Sequence, residues 1–164
     1  MTDAPAQPAR IALGGPMAVG KSSVGRRLAM QIGARFVDLD AQIGDVPGWF
    51  ARGGEAAFRD RESAVLAAVA QGVGVMALGG GALVRAENRV ALADWRVVIL
   101  MATPDTLASR MEATSRPLAG RWRDLLEARR PVWAAYGEPV WTDGLDVDEV
   151  AEQVRRRCGL SASI

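Results

Sequence analysis

The residues Gly15-Pro16-Met17-Ala18-Val19-Gly20-Lys21-Ser22 fit the spacing G-x-x-x-x-G-K-[ST]. That pattern binds phosphate. Its glycines let the main chain curl so that successive N–H groups point into one hollow, and a following helix adds its unpaired amides and positive dipole end. Lys21 places a cation on the β- and γ-phosphates, and the Ser22 hydroxyl is a hard oxygen ligand for Mg²⁺. Gly15, Ala18, Val19, Gly20, Lys21, Ser22 and Ser23 are therefore the expected nucleotide contacts. Ala18 is expected to keep a negative φ, because a β-carbon is poorly tolerated on the other side.

Three further groups could work on a second substrate. Asp38 and Asp40 lie two apart at the end of an apolar run. If the strand persists, alternation puts both on one face, where one acid could serve a Mg²⁺ shell and the other accept a proton from an attacking hydroxyl. A solvated strand end or a helix N-cap fits the pair as well. Arg59 and Glu62 are one helical turn apart. They suit either a surface pair or an arginine held by Glu62 and aimed at a carboxylate. Gly79-Gly80-Gly81 ends a strand-like run and reads either as a flexible turn or as a main-chain wall against a ligand.

The elements that must position these groups alternate between strand and helix. Strand-like runs are Ile11–Leu13, Phe36–Leu39, Val73–Leu78, Val97–Met101 and Pro139–Thr142. Helical spacing covers Lys21–Ile32, Glu55–Ala70, Arg85–Leu92, Pro104–Glu112, Arg123–Trp133 and Val147–Arg157, with a loop at Ala113–Arg121. Such alternation predicts a three-layer α/β/α fold on a parallel sheet, with the wholly apolar Val97–Met101 as a central strand. Residues 1–10 read as a disordered lead-in and 11–164 as one domain.

Composition narrows the chemistry. The 164-residue chain contains no histidine, which removes histidine bases, triads and metal ligands together. The net charge of +1 is no polyanion signal, so no nucleic-acid partner is expected, although basic residues cluster between Arg116 and Arg130. The single cysteine, Cys158, cannot close an internal disulfide, which suits a reducing cytoplasm. No apolar run is long enough to span a membrane and no secretory h-region is visible, so a soluble protein, taken as a monomer, is expected.

Several stretches resemble the shikimate kinases. They are Phe36-Val37-Asp38-Leu39-Asp40, the run from Phe50 to Arg59 continuing to Glu62 and Leu66, Val75 to Leu83 across the three glycines, and Arg116-Pro117-Leu118. Arg129-Arg130-Pro131-Val132-Trp133 is similar to that family's Arg-x-Pro-x-Tyr, with Trp133 in place of the usual Tyr. The resemblance runs from Ile11 to about Val154. It implies a five-stranded parallel sheet of the nucleoside-monophosphate-kinase type, a substrate region near residues 38–62 and a short lid near 112–123. It also implies an ATP- and Mg²⁺-dependent transfer to shikimate. On that resemblance Asp40 holds the ring hydroxyls and helps deprotonate the attacking one, while Asp38 serves Mg²⁺ with Ser22. Arg59 and Arg129 grip the carboxylate, with Gly79, Gly80 and Gly81 against the ring. Arg116 closes on the transferring phosphate and Arg110 lies near the adenine. Segment 41–49 and the lid are shorter than is common. Two other readings stand beside this one: a related kinase of the gluconate type, and a non-catalytic ligand-sensing domain.

Overall fold

The fold is described from a computed structural model, for residues 9–113 and 121–163. Five parallel strands form one sheet in the order β2-β3-β1-β4-β5. The strands are β1 (Arg10–Gly14), β2 (Phe36–Asp38), β3 (Gly74–Ala77), β4 (Arg96–Met101) and β5 (Val140–Trp141). β1 is the middle strand, with Leu13 opposite Ala77 of β3 on one side and Val98 of β4 on the other. The apolar run of β4 signalled burial on both faces, and any interior strand meets that demand. β4 accordingly lies between β1 and β5, one place from the centre.

From β1 the chain crosses to β2 at one edge, comes back to β3 beside β1, and then passes to β4 on the other side of β1, so the strand order reverses beside β1. In open parallel sheets that reversal opens a crevice at the carboxyl ends of the strands. The phosphate loop leaves the carboxyl end of β1, and helix α1 (Lys21–Gln31) follows it. Leu13, Leu28, Leu66, Met76, Leu100 and Leu107 are fully buried and tie the helices to the sheet. Cys158 is buried in the same core, and burial raises its thiol pKa, so it behaves as a packing residue.

Two expectations from the sequence are revised. β2 stops at Asp38, and Leu39–Ile43 forms a short helix, α2. Asp38 is its N-cap, accepting from the Ala41 amide at 3.3 Å. The same-face argument for Asp38 and Asp40 therefore fails: Asp40 is presented by a helix turn. The second revision concerns α3 (Val46–Val69), which begins well before Glu55 and bends at Gly54, where φ is 68°. Pro47, Gly48 and the Gly53-Gly54 pair weaken the helical signal in sequence. Yet proline is admissible in a first turn, and Asp45 caps that turn through the Gly48 amide at 3.2 Å.

The turn after β3 is a short 3-10 segment, Ala82–Val84, followed by α4 (Ala86–Ala91). Asn88 donates to the Ala82 carbonyl and Arg89 to those of Leu83 and Val84, each at 2.8 Å, so α4 clamps the chain leaving the glycine triplet. α5 (Pro104–Ala113), α6 (Trp122–Ala134) and α7 (Val147–Arg157) complete the fold. Asp146 and Glu149 form a reciprocal capping box at the start of α7. Among the described residues no helix is long and apolar enough to cross a membrane.

Candidate active site

The phosphate loop is shaped by main-chain dihedrals. Gly15 has φ 127°, and a β-carbon there would collide with the Leu100 carbonyl, so only glycine fits. Gly20 has φ 101° and begins α1 as an N-cap with no side-chain cap hydrogen bond. Val19 is buried and anchors the loop to the core. Ala18 departs from expectation: its φ is 62°, in the left-handed region. A β-carbon there costs on the order of 1 kcal/mol, so the loop carries strain that the surrounding contacts offset.

Lys21 donates to the carbonyls of Gly15 at 2.8 Å and Pro16 at 2.7 Å, which holds its ammonium against the loop. The Ser22 hydroxyl donates to Asp38 Oδ2, while Oδ1 of the same carboxylate caps α2. A hydroxyl and a carboxylate side by side beside the loop suit Mg²⁺, which takes hard oxygens, retains several waters and shares the ligand's phosphates. Among the described residues no group of three or more carboxylates or thiols is placed to hold a metal ion.

The second half of the site gathers around the glycine triplet. A methyl group at Gly79 would lie 2.8 Å from Glu62 Oε1 and 3.1 Å from Asp40 Oδ1. At Gly80 it would lie 3.3 Å from Arg129 Nη1 and 3.7 Å from the Met17 amide nitrogen of the phosphate loop. At Gly81 it would overlap the Arg59 guanidinium, 2.7 Å from Cζ. Asp40 from α2, Arg59 and Glu62 from α3, and Arg129 from α6 thus converge on one stretch of bare main chain. That stretch adjoins the phosphate loop. The glycine triplet is a wall that side chains approach closely, rather than a flexible turn.

Charge in this hollow is tightly organised. Arg59 is 15% exposed along its side chain and donates to Glu62 Oε2 at 2.6 Å, with Glu55 at 3.5 Å from its Nε. Burial raises the Glu62 pKa; Arg59 opposes the shift and the Asp40 charge adds to it. Arg129 has its pKa lowered, first by burial and then by the like charge of Arg59. Two guanidinium groups held near one another, one of them partly desolvated, make a strong receptor for a planar carboxylate.

The remaining predicted residues divide. Arg110 donates to the Val19 carbonyl at 3.2 Å, to Thr142 Oγ1 at 2.9 Å and to the Thr142 carbonyl at 3.1 Å, so it braces the loop against the chain after β5. Arg116 and most of the expected lid lie outside the described residues. Trp133 is buried and lines an apolar pocket beneath the loop with Pro16, Met17, Leu107 and Trp122; Arg129 stands on the same pocket's wall.

Sequence reasoning missed the network around Asp143. Its carboxylate accepts from the Thr103 amide and hydroxyl and from the Thr106 hydroxyl, and these bonds outweigh desolvation to keep its pKa below the ordinary value. The partners lie 37 and 40 residues away in sequence, and no local pattern announces them.

A parallel α/β/α sheet with a strand–loop–helix phosphate site, facing a pocket of acids and arginines, defines a P-loop phosphotransferase. The family model described as shikimate kinase matches residues 17–158. A shikimate kinase from Streptomyces avermitilis is 40% identical over 158 residues, covering 88% of this chain and 92% of that protein. One from Thermus thermophilus is 39% identical, covering 88% and 86%. The solved structure titled "Shikimate kinase from Acinetobacter baumannii in complex with shikimate" superposes with a TM-score of 0.80 at 30% identity, covering 93% of each chain. The chain belongs to the shikimate kinase family.

Proposed function

We propose that the chain transfers the γ-phosphoryl group of ATP to a ring hydroxyl of shikimate, yielding shikimate 3-phosphate. One observation carries this reading: Asp40, Arg59 and Arg129 meet at Gly79–Gly81, within reach of the phosphate loop. The family relatives support it, one of them in a complex with shikimate.

Phosphoryl transfer needs alignment and charge neutralisation more than covalent catalysis. The loop amides and the start of α1 hold the triphosphate, and Lys21 moves from the loop carbonyls onto its terminal phosphates. Ser22 and Asp38 would hold Mg²⁺, which neutralises phosphate charge. Arg59 and Arg129 take the substrate carboxylate at one end of the ring. The glycine wall lets the ring approach the main chain and sets its hydroxyl toward the loop. Asp40 accepts the hydroxyl proton as the oxygen attacks the γ-phosphorus. The bond to the β-phosphate oxygen breaks and ADP leaves. By the family resemblance Arg116 would act on the transferring group; Arg116→Ala is expected to lower turnover by about a thousandfold. Arg110 supports the nucleotide side through Val19 and Thr142.

The test is ADP production from ATP and Mg²⁺ with shikimate, run beside gluconate and other hydroxy acids. Turnover with shikimate alone is the expected result. Turnover with gluconate instead would replace the substrate. Thermal stabilisation by shikimate without ADP release would replace the enzyme with a sensor.

A further inference from the structure

Among the described residues the buried polar side chains are Glu62, Asn88 and Thr142, and Glu62 is the titratable one. Its two oxygens meet different surroundings. Oε2 accepts from Arg59 at 2.6 Å. Among the described residues Oε1 is buried without a hydrogen-bond partner. It faces the Gly79 main chain at the point that Asp40 Oδ1 also faces. A buried carboxylate oxygen with no donor, opposite a second carboxylate, is costly while ionised, and a neutral carboxyl suits the position better.

The charged groups around Glu62 come from three elements. Arg59, with Glu55 beyond it, lies on α3, Asp40 on α2 and Arg129 on α6; the turn after β3 presents main chain at Gly79. With Glu62 ionised, the carboxylates of Asp40, Glu55 and Glu62 outnumber the two guanidiniums by one. Protonating Glu62 raises the charge of the hollow by one, which offsets the single negative charge that a substrate carboxylate brings. A substrate carboxylate entering between Arg59 and Arg129 also competes with Glu62 for Arg59 and adds negative charge beside it.

We propose that Glu62 is a positioning residue that takes up a proton as the substrate carboxylate binds, matching the pocket to a hydroxy acid bearing one negative charge. This rests on the assignment of Arg59 and Arg129 to the substrate carboxylate. Burial already favours the protonated form in the free protein, and the incoming anion favours it further. The linkage has a definite sign. Affinity is highest at low pH, where Glu62 is already protonated. It falls as pH rises through the ligand-free pKa, by at most about tenfold per pH unit, and levels off above the ligand-bound pKa.

The experiment is calorimetric titration of the whole chain with shikimate between about pH 5 and 8, in buffers of differing ionisation enthalpy. ADP production is assayed on the same preparation. The expected result is uptake of up to one proton per site, with the uptake and the pH dependence of Kd both lost in Glu62→Gln. Glutamine keeps an oxygen for Arg59, so a merely structural role predicts weaker binding with the proton uptake unchanged. A wild-type protein that makes ADP with shikimate yet binds it with no proton uptake anywhere in the range overturns this inference and leaves the activity standing. Uptake that persists in Glu62→Gln also overturns it. Absence of both binding and ADP overturns the activity and the inference together.

Discussion

The two halves of the site are built by different means. The proposed phosphate side is one contiguous segment, Gly15–Ser23, whose shape rests on Gly15, Ala18 and Gly20 at positive φ and which offers main-chain amides with the Lys21 and Ser22 side chains. The acceptor side is drawn from α2, α3, the turn after β3 and α6, and works through side-chain charge against bare main chain. The difference follows from the ligands. A triphosphate presents many similar oxygens, and one curled loop can offer amides to most of them. A hydroxy acid presents distinct groups at opposite ends, and no short segment reaches both.

That contrast predicts where each half is fragile. Asp40→Asn removes the proton acceptor and should lower kcat by about a thousandfold while ATP still protects the protein thermally. Near-normal turnover would take Asp40 out of the chemistry. Lys21→Met acts on the other half. It should cost about a hundred- to a thousandfold in turnover, and shikimate binding measured by calorimetry should survive, because the acceptor pocket does not include Lys21.

Gly81→Ala tests the wall itself. The new methyl displaces the Arg59 guanidinium, so KM for shikimate should rise about tenfold, the value of one charged hydrogen bond, with KM for ATP little changed. A parallel rise in both constants would mean that the halves are mechanically one unit. Ala18→Gly has the smallest effect. It relieves the left-handed strain at φ 62° and should stabilise the fold by about 1 kcal/mol, a rise of a few degrees in Tm by calorimetry. A loss of stability would show that the Ala18 methyl makes a contact worth more than the strain it imposes.

The sheet and its helices were largely legible, because apolar periodicity is local and each strand carries its own burial signal. Legibility failed where a local signal was weak or was overridden. The first part of α3 hides behind Pro47, Gly48, Gly53 and Gly54, although Asp45 and the first-turn proline are themselves helix-start features. Ala18 takes a left-handed conformation that the sequence argued against, because loop closure onto the core through Val19 outweighs one residue's preference. Asp40 reaches the crevice by a helical turn where strand alternation was expected.

By itself the sequence determined the phosphate loop, the alternation of strand and helix, the absence of histidine chemistry and the residue types of the acceptor pocket. The first three reside in contiguous spacing or in composition, and the acceptor residues follow from the resemblance to shikimate kinases. The tertiary structure alone decided that Arg129, Glu62 and Asp40 confront one another across Gly79–Gly81, that Glu62 lies buried with one oxygen unpaired among the described residues, and that Asp143 ties together segments some forty residues apart. The reason is physical. Spacing constrains neighbours along the chain, whereas distances between elements, and the dielectric around a charge, are set by how whole helices and strands pack.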